Sequence, residues 1–348
     1  MTLTEVARRA GVSAATVSRV MSGQTLVSQA IRDRVMCVVR EVNYAPNVHA
    51  RALAGGRSRT LGMIVSNIEN PFLLGIVIAL EEVATQQDFE VLVEHTGYRR
   101  ERLVASIRSM LKRRVEGLAV IVSEMDRGLI EELAAQDVPV VFYDVGRPAR
   151  NITSIRVRYD KGTQQSAEYL YSLGHRRFGF VAHHAGLGPL EERKRTFLDV
   201  MEKFGKGVHH GTASGMDSPG GGRHAAREML SSPLRPTAIL CANDHMAVGV
   251  LRELHERELP VPGKVSVVGY DNIALAEHLC PSLTTVRIPQ RDIGQLVFEA
   301  LVFGNGSNPR DIVIEPELIV RESSGPRRDR KAGNGAAKGE FRLRISSA

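Results

Sequence analysis

Three side chains with planar polar ends, Asp144, Asn243 and Asp271, each close a short apolar run of strand character, at 138–144, 237–243 and 267–271. Carboxylates and carboxamides at the carboxyl ends of strands can take adjacent hydroxyls of a sugar two at a time, provided apolar surface supports the ring. Phe72 can supply such surface. It follows Asn70-Pro71, where proline suits the first turn of a helix, so Phe72 sits either beside the cleft or in the core. Asp244, next to Asn243, reads instead as the N-cap of the following helix. Near the N-terminus, Ser13, Ala14, Ala15, Thr16, Ser18 and Arg19 open a short helix. Arg19 has the forked donor that matches guanine O6 and N7, or it contacts phosphate. Ala14 and Ala15 can touch thymine methyls but carry little information, and Thr16 suits a phosphate contact or a local cap.

Other chemistry is poorly supported. His183-His184 and His209-His210 are adjacent pairs, and neighbours on a strand point to opposite faces, so neither makes a good chelate. Gly220-Gly221-Gly222 follows no strand-to-helix phosphate fingerprint. No nucleophile elbow, nucleotide-phosphate loop or pair of catalytic carboxylates is present, so neither an enzyme nor a cofactor is expected. The three cysteines, Cys37, Cys241 and Cys280, are odd in number and widely spaced, and are expected to be buried thiols. No run approaches the roughly 20 apolar residues of a membrane span, and no signal-peptide core is evident, so a cytoplasmic protein is expected.

The elements that position these residues fall into two textures. In the first 45 residues, Leu3, Val6, Ala7 and Ala10 follow helical spacing, with Thr2 and Glu5 as a capping box. Gly11 interrupts, Ser13 caps a second helix with Val17, Val20 and Met21 inward, and Ser28 caps a third with Ile31, Val35, Val38 and Val42 inward. Helix, tight turn, helix is the pattern of a DNA-reading helix-turn-helix. From residue 61, short apolar runs at 61–67, 90–96, 117–123, 138–144, 177–183, 237–244 and 264–271 alternate with helical periods. This alternation predicts an α/β core of parallel sheets. The Gly- and His-rich stretch 205–222 reads as loop and 324–348 as a disordered basic tail.

Charge sharpens the division. Of the net +7, residues 1–60 hold nine arginines against three acids, or +6, and 325–348 hold seven bases against two acids, or +5. The body between is left at −4, so the basic excess that suits a polyanion lies at the two ends. Arg8, Arg9, Arg32 and Arg34 supply backbone charge or a solvated face.

The segment from Leu3 to Val20, LTEVARRAGVSAATVSRV, resembles the headpiece of the lactose-repressor (LacI/GalR) family. The resemblance continues through Asn43-Tyr44-Ala45-Pro46-Asn47 and Ala50-Arg51-Ala52-Leu53-Ala54, and resumes at Ala242-Asn243-Asp244, Val267-Val268-Gly269-Tyr270-Asp271 and Leu283-Thr284-Thr285-Val286. It implies a homodimeric regulator, reading a pseudo-palindromic duplex operator under control of a small, sugar-like effector, with a helix-turn-helix headpiece (1–45), a hinge (46–59) and a two-lobed, periplasmic-binding-protein-like core (60–323). Lobe 1 would comprise about 60–157 plus 290–316, and lobe 2 about 158–289 plus 317–323. Carried over by position, Thr2, Leu3, Tyr44, Asn47, Ala50 and Arg51 join the DNA contacts, and Leu53 becomes an apolar wedge in the minor groove. Arg193 and Asp271 take the effector-facing positions. The aromatic residue that many relatives stack on the sugar falls near Asp217. The alternatives to set against this reading are a sugar-binding protein without DNA function and an unrecognised α/β enzyme.

Overall fold

The computed structural model describes residues 2–21, 27–43, 58–144, 149–304 and 310–327. The hinge, with Tyr44, Asn47, Ala50, Arg51 and Leu53, lies outside them.

Helices α1 (Leu3–Ala10), α2 (Ala14–Met21) and α3 (Gln29–Glu41) enclose a small core of Val6, Ala7, Ala10, Val17, Val20, Val35, Val38 and Val39. Thr2 caps α1 by accepting from the Glu5 amide at 3.3 Å. The reciprocal half of the expected capping box is replaced, because the Glu5 carboxylate accepts from Arg8 (Nε, 3.0 Å) and Arg9 (3.1 Å). Gly11 ends α1 in the left-handed region, at φ 63°, which costs a residue without Cβ little. Ser28 precedes α3 without a side-chain capping bond.

The core begins at β1 (Thr60–Val65). With β2 (Glu90–His95), β3 (Gly117–Ile121), β4 (Val140–Tyr143), β5 (Ile152–Val157) and β11 (Asp311–Ile314) it forms a six-stranded parallel sheet ordered β11-β5-β4-β3-β1-β2. Strands β1, β3 and β4 are buried throughout, which is why they read as unbroken apolar runs rather than alternating ones. Helices α4 (Pro71–Gln86), α5 (Arg100–Lys112) and α6 (Arg127–Ala134) connect these strands. The second sheet, β7-β6-β8-β9, is also parallel and comprises β6 (Arg177–His183), β7 (His209–Gly215), β8 (Ala238–Cys241) and β9 (Ser266–Val268). Its helices are α7 (Tyr159–Ser172), α8 (Gly188–Phe204), α9 (Pro219–Ser231) and α10 (Asp244–Glu256). The chain returns to the first lobe in α11 (Gln290–Val302), which packs on α4, after β10 (Thr285–Arg287) has paired antiparallel with β12 (Glu317–Ile319).

Four expectations need correction. The stretch 205–222 is not loop: it contains β7 and the start of α9, capped by Ser218 with Pro219 in the first turn. Its glycines mark close packing. A Cβ on Gly215 would lie 2.1 Å from the Gly221 carbonyl oxygen, and one on Gly222 would lie 2.0 Å from that of Met246. The ordered chain also runs past 324. Ser324 is buried between Tyr169 (3.1 Å) and Thr284 (2.7 Å), and the Gly325 carbonyl meets His175 at 3.1 Å. Of the cysteines only Cys241 is buried; Cys37 and Cys280 are exposed. The His183 and His184 rings do not diverge. Their centroids are 4.8 Å apart, because β6 ends at His183 and the chain turns there, with the Ala185 amide donating to His183 Nδ1. No cluster of three or more metal-ligating side chains occurs among the described residues.

Candidate effector cleft and DNA-reading helix

The carboxyl ends of both parallel sheets face a shared cleft, where a cavity of about 50 Å³ is lined by Phe72, Tyr143, Asp144, Arg193, Asn243 and Asp271, among others. On a scale where about 10–15 Å³ holds one water, it admits a few water-sized groups. Arg193 enters it one turn into α8. Its guanidinium lies 4.1 Å from the Tyr159 ring centroid and 4.5 Å from that of Tyr270, so two aromatic faces replace part of the water a buried cation loses. One nitrogen donates to the Ala242 carbonyl. Asp271 follows the β9 edge at φ 106°, and its backbone N–H donates a hydrogen bond to the Val286 carbonyl (2.8 Å).

Arg193 Nη1 and Asp271 Oδ1 are 3.9 Å apart, too far for a hydrogen bond. Arg193 Nε and Asp271 Oδ1 are both buried without a hydrogen-bond partner. Burial pushes the Asp271 carboxyl well above the usual carboxylate range, against the pull of Arg193. One donor and one acceptor, held by rigid neighbours, thus converge on the cavity unengaged.

The other sequence candidates are already committed. Asp144, at φ 60°, accepts from the Val157 amide (2.8 Å) and from the Tyr159 hydroxyl, and burial raises it to about 7. Phe72 is both core and cavity wall, 4% exposed and 6.4 Å from the Tyr143 ring. Asn243, not Asp244, is the N-cap, and it lines the cavity as well. Asn243 caps α10 by accepting from the Met246 amide (2.8 Å), and its amide group donates to Asp217 (2.8 Å). Asp244 is buried and accepts from the Ile273 amide (2.9 Å) and the Thr285 hydroxyl (2.6 Å). It therefore clamps the loop that carries Asp271. The cap falls on Asn243 because it has the extended backbone of a cap, whereas Asp244 already lies in the helix.

Sequence reasoning missed the most connected group in the cleft. Asp217, in the turn between β7 and α9, accepts from Asn67 (3.1 Å), Asn70 (3.0 Å) and Tyr98 (2.7 Å) of the first lobe and from Asn243 of the second. Burial opposes its charge, yet these bonds and the nearby His245 outweigh it and hold the carboxyl well below its ordinary range. Behind Tyr98, His183 is driven down to about 4 by burial and stays neutral. A further buried network joins Ser66, Thr96 and Glu124 at the first sheet's edge of the cleft, with Ser66 donating to Glu124 at 2.7 Å.

In the headpiece, Ser13 caps α2 by accepting from the Thr16 amide at 3.1 Å, and its hydroxyl lies 2.9 Å from that of Thr16. Thr16 is therefore a capping partner and half-buried. Val17 and Val20 face inward, whereas Ala14, Ala15, Ser18 and Arg19 are exposed. Thr2 is exposed beside the cap of α1, and Leu3 packs at the margin of the headpiece core.

Comparison with known proteins decides the assignment. Residues 2–47 match the bacterial regulatory proteins of the lacI family, and residues 167–324 match a periplasmic binding protein-like domain. The HTH-type transcriptional repressor PurR of Photobacterium profundum is 31% identical over 327 residues, covering 92% of this chain and 98% of that protein. The chain belongs to the lacI family of transcriptional regulators. The ribose operon repressor of Escherichia coli is 32% identical over 303 residues, covering 86% of this chain and 92% of the relative. The Lac repressor dimer bound to operator and the anti-inducer ONPF superimposes with a TM-score of 0.81 at 30% identity, covering 93% of this chain and 99% of that one. These relatives are repressors rather than enzymes. No described helix of this lacI-family chain is long and apolar enough to cross a membrane.

Proposed function

We propose that this lacI-family regulator is a cytoplasmic, dimeric repressor whose operator affinity is set by a compact, neutral polyhydroxylated effector, a sugar or sugar derivative, held between Arg193 and Asp271. The observation that carries the reading is that Arg193 Nε and Asp271 Oδ1 are both buried without a hydrogen-bond partner on residues that line one cavity, which suits vicinal hydroxyls that accept from one and donate to the other. Tyr143, Phe72 and Tyr159 supply the apolar support a sugar ring needs. The proposed lobes are about 60–157 plus 290–316 and about 158–289 plus 317–323, a division supported by the two separate parallel sheets. Ala14, Ala15, Ser18 and Arg19 form the surface that enters the major groove, with Arg19 as its principal reader and Thr2 at the backbone. Exposed Leu74 and Ile78, one helical turn apart on α4, with Leu275, support pairing of two copies.

The test is selection of duplex DNA by the purified full chain, followed by titration of the selected complex with D-ribose and cellobiose. A two-fold symmetric site whose affinity shifts with a sugar supports the reading. Arg19→Ala should cost about 1–3 kcal/mol per half-site and flatten preference at one base pair. Selection of no sequence, or an effector response that survives Arg193→Ala, overturns it.

A further inference from the structure

We propose that Asp217 is a latch that closes the two lobes without any ligand and, by engaging Asn70, Tyr98 and Asn243, confines effector recognition to the Arg193–Asp271 side of the cleft. The second part rests on the function proposed above; the first does not.

Three observations converge. Asp217 receives side-chain hydrogen bonds from three residues of the first lobe, across 150, 147 and 119 residues of sequence, and one from its own lobe. Asp217, Asn70 and Asn243 are each at least 95% buried, so the Asn70 and Asn243 bonds lie out of reach of competing water, while those of Asn67 and Tyr98 are part-buried. Asn70, Tyr98 and Asn243 are also cavity-lining residues, so the latch engages polar groups that a cavity-bound molecule would otherwise meet. The latch is asymmetric in chemistry. An ionised carboxylate only accepts, and each group around it is oriented to donate, so no neutral isostere satisfies the same set. The turn that bears it is fixed: its backbone carbonyl accepts from Asn67 at 3.2 Å, and Ser218 beside it caps α9. What stays unengaged is Arg193 Nε and Asp271 Oδ1. A molecule that enters without breaking the latch is therefore small and is read by those two residues, whereas a longer one must displace the latch.

Asp217→Asn preserves size but turns one accepting oxygen into an amide that confronts the Asn70, Tyr98 and Asn243 donors. The test uses the full-length chain with Cys37 and Cys280 replaced by serine, and spin labels at exposed Glu101 on α5 and Glu228 on α9. The labelled chain is diluted into unlabelled protein so that only distances within one chain are read. The ligand-free parent should give one narrow, short distance. Asp217→Asn should raise the ratio of open to closed populations at least about tenfold, given the strength of hydrogen bonds to charged groups. Tyr98→Phe, which deletes a single donor, should move it in the same direction by less. Circular dichroism checks that both variants fold, and Tyr98→Phe decides the question if Asp217→Asn does not. A parent that is already broadly open, or variants with the parent's distance distribution, overturns the latch. Because neither DNA nor effector is present, that failure is separate from failure of the proposed function.

Discussion

Replacing Asp244 by asparagine links the stability of this fold to the placement of the Asp271 carboxyl. Asp244 is fully buried and is raised by that burial from 3.8 to about 7, even though it accepts from Thr285 and from the Ile273 and Tyr270 backbone. An acid whose folded pKa exceeds its unfolded value binds its proton more tightly when folded. Its contribution is therefore fully present below the unfolded pKa and is lost as pH rises toward the folded one. Between pH 4 and pH 7 the loss amounts to about 3 kcal/mol, at 1.36 kcal/mol per pKa unit. Asparagine cannot ionise, and it keeps a carbonyl for the Ile273 amide. Urea unfolding of parent and Asp244→Asn at pH 4.5, 5.5, 6.5 and 7.5 isolates this contribution as the difference between the two profiles. Neutral His183 contributes in the opposite sense, losing stability as pH falls from 6.5 toward about 4, but it is common to both proteins and cancels. The variant should gain on the parent steadily as pH rises. Parallel profiles would refute the reasoning. Asp244→Ala is the structural counterpart: it leaves the buried Ile273 amide and Thr285 hydroxyl unpaired, costing about 2–6 kcal/mol in all, and frees the loop that holds Asp271.

Asp271→Asn should leave operator affinity intact and weaken the effector response about 5- to 150-fold, from the roughly 1–3 kcal/mol of an unpaired polar contact; unchanged calorimetric titration by a sugar that shifts operator affinity would remove Asp271 from the site. Gly222→Ala should destabilise the second lobe by more than about 2 kcal/mol, because the new Cβ meets backbone of α10 rather than a side chain that can swing away; an unshifted unfolding midpoint contradicts this packing. Truncation after Arg327 should leave thermal stability unchanged, whereas truncation after Glu322 removes the partners of Thr284, Tyr169 and His175 and should lower it measurably.

What could be read from the sequence follows a physical pattern. Strands β1, β3 and β4 are apolar at nearly every position because both sheet faces are covered, and such runs announce themselves. The headpiece helices were legible from spacing and from Ser13. Asp271 was legible as a polar residue closing an apolar strand-like run, whereas Arg193 became legible only through resemblance, since nothing local marks it. Asp217 was illegible for a different reason: its partners Asn67, Asn70 and Tyr98 lie more than a hundred residues away, and short-range pattern carries no trace of such contacts. Its surroundings misled as well. Gly215, Gly221 and Gly222 suggest a loose loop, but here glycine serves close approach of β7, α9 and α10. Two signals were available: Asp217 falls near the position where relatives stack an aromatic residue, and Asn70 before Pro71 marks a helix start, but neither reveals the lobe-spanning bond.

The cleft divides its labour unequally, and the division bears on how a signal could leave it. Arg193, Asp217 and Asp271 all belong to the second lobe, on α8, on the β7–α9 turn and on the loop clamped by Asp244. The first lobe answers Asp217 with neutral donors and offers Phe72 and Tyr143 as wall. A molecule held by Arg193 and Asp271 is thus fixed to the second lobe, and its effect on the first must pass through the walls it touches or the latch it disturbs. The first lobe is also where the chain arrives from the headpiece. Ser58 donates to the Arg114 carbonyl (3.0 Å) and the Arg59 amide to Glu116 (2.7 Å), just before β1 enters the sheet. Strand β1 then runs from that anchor to Ser66, Asn67 and Asn70 at the cleft. One buried strand therefore spans the lobe from the latch donors to the point where the DNA-binding segment departs, and a close-packed interior moves such a strand as a body rather than absorbing its displacement. Rotation of the first lobe on release of Asp217 would consequently be felt at residue 58 in each protomer. In the dimer proposed above, that rotation would alter the separation of the two headpieces, the distance a two-fold operator measures.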